Sequence, residues 1–473
     1  MQAPLGCQRE AQKHSHRALE SCRLAGTSAE AKCTRVSVPE SRDPSIASQR
    51  DLSLRVVVVP ALATSPAPDP LFVLAGGPGQ SAVELASVIL PLFERVRRRH
   101  DIVFVDQRGT GDSHPLQCEG SESAMSDPFA TGSVKESLAK CLASLDADTR
   151  TYTTTAAADD LDDVRKALGY STINLWGGSY GTRLALVFAR QHPTSVRTIT
   201  LDGVAPVDMH LPLTLAEDSQ RSLDIVLDHC SHDESCSKRF PQVRAQLDTL
   251  LGPRPKPWES SELARLTSGH PRLDHDAIAG SLRALLYRAE SAAMIPFVID
   301  AMSREGDHRA LVMMIKTLVR STRHAMSEGL FFSVICAEDV PTITEDELNH
   351  RAANTFLGAN VSRSIVEGCS AWKAGTPPPG FHAPVRSEAP VLILSGEQDP
   401  ATPPPYAERV AATLPHSVHA VFPNVGHGAS PVGCAPQLIA QLIESGTTEK
   451  LDVSCARQVP AVPFVTSIQG SPP

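Results

Sequence analysis

The sequence predicts an α/β fold: a mostly parallel central sheet with flanking helices and an inserted, mainly helical cap domain. Two observations carry this expectation. Short apolar runs alternate with amphipathic helical segments, the signature of parallel strands joined by crossover helices. After Pro206 the alternation gives way to helical stretches and proline-rich linkers, and it resumes at Val391. A chain of 473 residues suits about three domains, or one large domain carrying an insertion.

Taken in order, residues 52–59 alternate Leu52, Leu54 and Val56 with polar neighbours and then turn wholly apolar, as an outer strand entering the sheet would. Residues 71–74, 102–105, 173–176 and 199–201 are apolar runs bounded by Gly, Pro or Asp and read as buried parallel strands. Between the runs 102–105 and 173–176, residues 156–168 put Leu161, Val164 and Leu168 on one face and stop at Gly169, a helix with a glycine terminus. Strand signals return at 391–394 and 418–422. The expected organisation is an amino-terminal segment 1–35, a core of 36–206 and 384–473, and a helical cap of 207–383.

Composition excludes several classes. Hydrophobic residues make up 41% and charged residues 21%, enough apolar surface for a sizeable core. The net charge of −9 lacks the basic face of a nucleic-acid binder, so no nucleic-acid partner is expected. Prolines number 38, well above ordinary usage, which suggests rigid loops. The longest stretch free of Asp, Glu, Lys and Arg, residues 410–443, is interrupted by His, Pro and Gly, so no membrane span is expected. The first residues hold no apolar segment of the signal-peptide kind, and Leu5-Gly6-Cys7 lacks the hydrophobic lead of a lipoprotein site.

Eleven cysteines fall mostly at local spacings: Cys22 with Cys33, Cys118 with Cys141, Cys230 with Cys236, Cys336 with Cys369 and Cys434 with Cys455, leaving Cys7 over. The alternative is eleven scattered buried thiols. Five disulfides would place maturation in an oxidising compartment, so a secreted or periplasmic location is expected. The segment Asp228-His229-Cys230-Ser231-His232 has no second ligand group at zinc spacing, so no metal is expected and a small disulfide loop is.

The sharpest motif is Gly177-Gly178-Ser179-Tyr180-Gly181, a G-x-S-x-G turn between a strand ending at Trp176 and a helix-patterned segment 182–191. Such a turn holds its serine strained and exposed, and glycines at 177 and 181 let strand and helix approach. A serine hydroxyl needs a general base and a carboxylate to orient that base. These should follow in the order acid, then histidine. Asp399, just past the strand 391–394, and His427, past the strand 418–422, fit that order, with Glu397 as the rival acid. An acyl-transfer site also needs oxyanion donors. The backbone N–H of Tyr180 and that of Gly77, in Ala75-Gly76-Gly77-Pro78-Gly79, are the expected pair.

Together with Asp106-Gln107-Arg108-Gly109-Thr110-Gly111-Asp112-Ser113, Gly396-Glu397-Gln398-Asp399-Pro400 and Gly426-His427-Gly428, these motifs resemble the α/β-hydrolase family of proline iminopeptidases and secreted tripeptidyl aminopeptidases, over about residues 22–455. The resemblance implies an α/β-hydrolase fold, a triad of Ser179, Asp399 and His427, a helical cap, and removal of residues from peptide amino termini without a cofactor. One position departs: proline iminopeptidases usually carry histidine before the Gly-Gly-Pro-Gly loop, where this chain has Ala75. A substrate with a free amino terminus is cationic near neutral pH and calls for an acceptor carboxylate. Glu338, then Asp339, in Cys336-Ala337-Glu338-Asp339 are the first choices, against a solvated acidic pair at a helix end; Asp106 and Arg108 are expected to build a turn beside the site. The alternatives are a carboxylester hydrolase (an esterase) with the same triad, and a non-catalytic binding protein on the same fold.

Overall fold

Runs four to ten residues long, most of them rich in β-branched and aromatic residues, build the sheet. In the computed structural model, which describes residues 19–44, 46, 50–118, 132–252, 258–259, 272–322 and 326–467, they form β1 (Glu20–Arg23), β2 (Glu30–Pro39), β3 (Asp51–Val59), β4 (Leu71–Leu74), β5 (Ile102–Val105), β6 (Ile173–Gly178), β7 (Val196–Asp202), β8 (Val391–Gly396) and β9 (Ser417–Phe422). These pair into one nine-stranded sheet in the order β1-β2-β3-β5-β4-β6-β7-β8-β9. The pairs from β1 to β5 are antiparallel and those from β5 to β9 parallel, so β4 to β9 end on one edge. The chain leaves β4 for β5 on one side and then crosses to β6 on the other, a switch of direction that opens a crevice at that edge.

Helices cover both faces of the parallel strands, which is why those strands are apolar throughout. Alternate residues serve opposite layers. Phe72, Leu74, Val103, Val105, Leu175, Ile199 and Ile393 face the layer containing the helices Thr154–Ala167 and Tyr180–Gln191. Leu71, Val73, Ile102, Phe104, Leu392 and Leu394 face the layer of the helices Ala82–Ile89 and Ala435–Ser445. Between β7 and β8 the chain forms helices, among them Leu215–His232, His275–Leu285, Ile295–Glu305, Glu328–Glu338 and Asn360–Cys369. Most of these surround a separate apolar cluster centred on residues such as Leu223, Leu282 and Ile299.

The first expectation to be corrected is the position of β3. It is third in the sheet, flanked by β2 and β5, and the two strands outside it carry exposed polar residues along one face. Its amphipathic start, with Leu52 and Leu54 buried and Asp51 and Ser53 exposed, reflects one solvated face and not an edge. The helix expected at 156–168 forms as Thr154–Ala167 and ends on Gly169 at φ +80°, the left-handed terminus anticipated.

Five disulfides join Cys22–Cys33, Cys118–Cys141, Cys230–Cys236, Cys336–Cys369 and Cys434–Cys455. Cys7 lies outside the described residues, as does most of the linker that follows Gly252. Among the described residues, no helix is long and apolar enough to cross a membrane.

Candidate active site

The turn after β6 forces Ser179 into φ +55° and ψ −124°, a conformation L-residues avoid and that packed surroundings must hold. Those surroundings are close. A Cβ on Gly177 would stand 2.3 Å from the Gly181 carbonyl oxygen, and one on Gly181 would stand 2.1 Å from the Leu74 carbonyl oxygen. Both neighbours are backbone, so neither can rotate away. Gly181→Ala should therefore cost roughly 3 kcal/mol or more of stability, read as a large fall in melting temperature or loss of soluble protein. A shift of under about 2 °C would contradict it. The Ser179 N–H donates to the Asp202 carbonyl (2.8 Å), and its own carbonyl accepts from the Thr182 N–H and hydroxyl at 2.9 and 2.6 Å.

The loop after β4 reaches the same point. A Cβ on Gly76 would lie 3.1 Å from the Ser179 Cβ, a tight approach that glycine relieves, and Gly77 follows at φ +108°. Asp106 holds this loop: its carboxylate accepts the Ser81 hydroxyl (2.6 Å) and the N–H groups of Val83 (3.1 Å) and Asp112 (3.3 Å). Arg108 is buried against both oxygens of Asp160 at 2.7 Å. Both residues thus act as fasteners of the turn.

Asp399 is fully buried after β8. One oxygen accepts the N–H groups of Ala401 and Thr402, each at 2.8 Å, and the other accepts the Thr402 hydroxyl and the His427 Nδ1–H, each at 2.8 Å. Burial alone would raise its pKa, but the charge and hydrogen bond of His427 and the backbone donors hold it below the ordinary carboxylate range. Burial pulls the His427 imidazole down, yet Asp399 and, less strongly, Asp202 outweigh this and raise it. Glu397, the rival acid, turns to the Asn424 N–H at 3.3 Å.

Further residues shape the site. Thr402, three residues past Asp399, places its hydroxyl 3.1 Å from His427 Nδ1. Its signal was present in Asp399-Pro400-Ala401-Thr402, since an aspartate commonly accepts from backbone two and three residues on. Asp202 accepts the N–H groups of Ala429 (2.7 Å) and Ser430 (2.9 Å), pinning the loop that carries His427. A Cβ on Gly203 would come 3.3 Å from the imidazole Cε1, so β7 ends directly beneath the histidine.

Glu338 and Asp339, at the end of the helix Glu328–Glu338, are each 1% exposed and not a solvated pair. Glu338 accepts the N–H and hydroxyl of Thr154, both at 2.7 Å, and that hydroxyl is 2.8 Å from the Tyr180 phenol. Asp339 accepts from Arg183 Nη1 at 2.9 Å, the same nitrogen lying 3.7 Å from Glu338. Burial pushes the Glu338 carboxyl up to about 7 against the opposing pull of Arg183 and Thr154. Two carboxylates face one guanidinium here, with His210 and His382 also acting on Asp339.

Residues 69–224 match the family described as alpha/beta hydrolase fold, and residues 354–455 match the family described as TAP-like protein. The chain is 24% identical over 427 residues to serine protease Hip1 of Mycobacterium tuberculosis, covering 81% of this chain and 80% of that protein. It is 30% identical over 145 residues to the tripeptidyl aminopeptidase of Streptomyces lividans, 27% of each chain. It is also 30% identical over 136 residues to the proline iminopeptidase of Neisseria gonorrhoeae, 28% of this chain and 32% of that one. The chain has the α/β-hydrolase fold and, within it, is similar to the proline iminopeptidases and tripeptidyl aminopeptidases.

Proposed function

We propose that the chain is a serine hydrolase that cleaves short peptides or single residues from peptide amino termini through an acyl-enzyme. The observation that carries this reading is the 2.8 Å bond from His427 Nδ1 to the buried Asp399 carboxylate, on the sheet edge that also bears the strained Ser179. In the reaction His427 Nε2 accepts the Ser179 hydroxyl proton as Oγ attacks the substrate carbonyl. The developing oxyanion is bound by the backbone N–H groups of Gly77 and Tyr180. His427 returns the proton to the departing amine, and water, activated by the same imidazole, hydrolyses the ester on Ser179 and restores the free hydroxyl. Asp399 keeps the imidazole in the tautomer with its free lone pair on Nε2. The segment 207–383 serves as the cap, and the five disulfides support a secreted or periplasmic place of work.

Glu338, then Asp339, is the proposed acceptor of the substrate amine, and their burial means that the substrate must open a path to them. The test compares a chromogenic peptide amide bearing a free amino terminus with its acetylated twin and with a short acyl ester. The free peptide is expected to show kcat/KM at least about tenfold above the acetylated one, the worth of one charge-assisted contact. Equal rates would remove the aminopeptidase reading, and ester-only turnover would establish the esterase.

Glu338 adds a pH signature. A substrate ammonium needs the ionised carboxylate, so the free-to-acetylated ratio rises as pH rises through about 7. Glu338→Gln should lower that ratio towards one and flatten its pH dependence. The ratio cancels the titration of His427, which both substrates share. An unaltered ratio in the variant would assign Glu338 to holding Thr154 alone.

A further inference from the structure

The helix His275–Leu285 brings Arg283 in its last turn, and Tyr287 just beyond it, to the histidine. Tyr287 meets His427 twice: its carbonyl accepts the His427 backbone N–H at 2.8 Å, and its ring stands edge-on to the imidazole with centroids 5.3 Å apart. The Arg283 guanidinium lies 5.2 Å from the centre of that phenol ring and donates from Nη2 to the Tyr287 hydroxyl at 2.8 Å. The Tyr287 phenol ring thus lies against both the imidazole and the guanidinium.

Arg283 is incompletely matched. A guanidinium offers five N–H donors in a planar fork suited to a carboxylate. Arg108 and Arg183, the buried arginines of this fold, each face a carboxylate, Asp160 and Asp339 respectively. Arg283 has no carboxylate partner among the described residues; its Nε, like that of Arg183, is buried without an acceptor, so the missing carboxylate is what sets it apart. One neutral phenol does not offset the desolvation of a partly buried cation. Its charge already reaches the active histidine, where it disfavours the imidazolium.

We propose that Arg283, presented by Tyr287, binds a carboxylate on the leaving fragment of the substrate. The side follows from the chemistry: His427 hands its proton to the departing amine, so the fragment beyond the scissile bond lies against the imidazole, on the side where Tyr287 and Arg283 stand. At about 3.5 Å per residue, one to three residues reach from the imidazole to the guanidinium. The carboxylate is then either the free terminus of a short peptide or an acidic side chain close to the cut. The proposal rests on the hydrolase reading above and narrows its substrates to short or acidic peptides.

Binding is read calorimetrically on Ser179→Ala protein, which holds substrate without turning it over. The ligands are the tetrapeptide Ala-Ala-Ala-Ala with a free carboxylate, its carboxyl-terminal amide, and Ala-Ala-Ala-Glu amide. At least one carboxylate ligand should bind about tenfold or more tightly than the neutral amide, and Arg283→Gln in the same background should abolish that preference. Arg283→Lys, which keeps the charge and loses the fork, should retain part of it. Preference for the free acid assigns a terminal carboxylate, and preference for the Glu amide assigns a side chain. Equal binding of all three, no measurable binding of any, or the same loss for all three in Arg283→Gln would overturn the proposal. Turnover of the neutral amide by unaltered protein is measured alongside. Its absence counts against the hydrolase reading, and the carboxylate preference is still read from binding alone.

Discussion

Ser179→Ala should leave a folded protein whose kcat falls by about 10^4 to 10^6, the range seen when a triad nucleophile is removed and only the oxyanion donors and binding remain. The substitution is clean because alanine keeps the Cβ already accommodated at φ +55°. It also keeps the backbone bonds to the Asp202 carbonyl and from Thr182. No packing or backbone term changes much, so the melting temperature should move by no more than a few degrees. Two measurements settle the matter: kcat on a chromogenic acyl substrate, and labelling by a fluorophosphonate that forms its bond only with an activated serine. Substantial turnover in the variant, or a label on some other residue, would place the nucleophile elsewhere and take the acyl-enzyme reading with it.

What was legible beforehand divides along physical lines. The parallel strands declare themselves because burial on both faces demands uninterrupted apolar residues, as in Leu71-Phe72-Val73-Leu74, all buried. The positions of Ser179, Asp399 and His427 are legible because each follows a strand whose end is marked by Gly or Pro, and strand order then puts them on one edge. β1 is not legible: Glu20–Arg23 is largely exposed, and its strand form comes from pairing with β2, not from its own residues. The surroundings of the cap carboxylates are equally hidden. From the sequence, Glu338 and Asp339 read either as the amine acceptors or as a wetted helix end, and nothing in it shows that the fold brings Arg183 and Thr154, distant in the chain, against them. Arg283 and Tyr287 are missed for the same reason, since a helix pattern says which face is apolar and not what meets its polar end.

Asp399→Asn tests the other half of the proposed proton relay, and its expected cost is about 10^4 in kcat. The carboxylate accepts from His427 Nδ1, whereas an amide can present its NH2 group there, which forces the imidazole proton onto Nε2 and leaves that atom unable to take the serine proton. The pH profile carries a second signature with a definite sign. In the parent, burial lowers the imidazole pKa but Asp399 and Asp202 raise it further, so the neutral base accumulates only above the ordinary histidine value of 6.5 and the ascending limb of kcat/KM lies above it. Removing the Asp399 charge leaves burial dominant, and the limb of the residual activity should move to lower pH. Stability follows the same linkage. The raised His427 contributes fully below about pH 6.5, a contribution lost as pH climbs through its folded value, whereas the depressed Asp399 contributes above about 3.8 and loses it on acidification. The parent should therefore be more stable than the variant by the widest margin between those two values. A variant with an unshifted limb and an unchanged stability profile would show that Asp399 does not act on His427, and Asp202, which already holds the histidine loop through Ala429 and Ser430, would be the next carboxylate to replace.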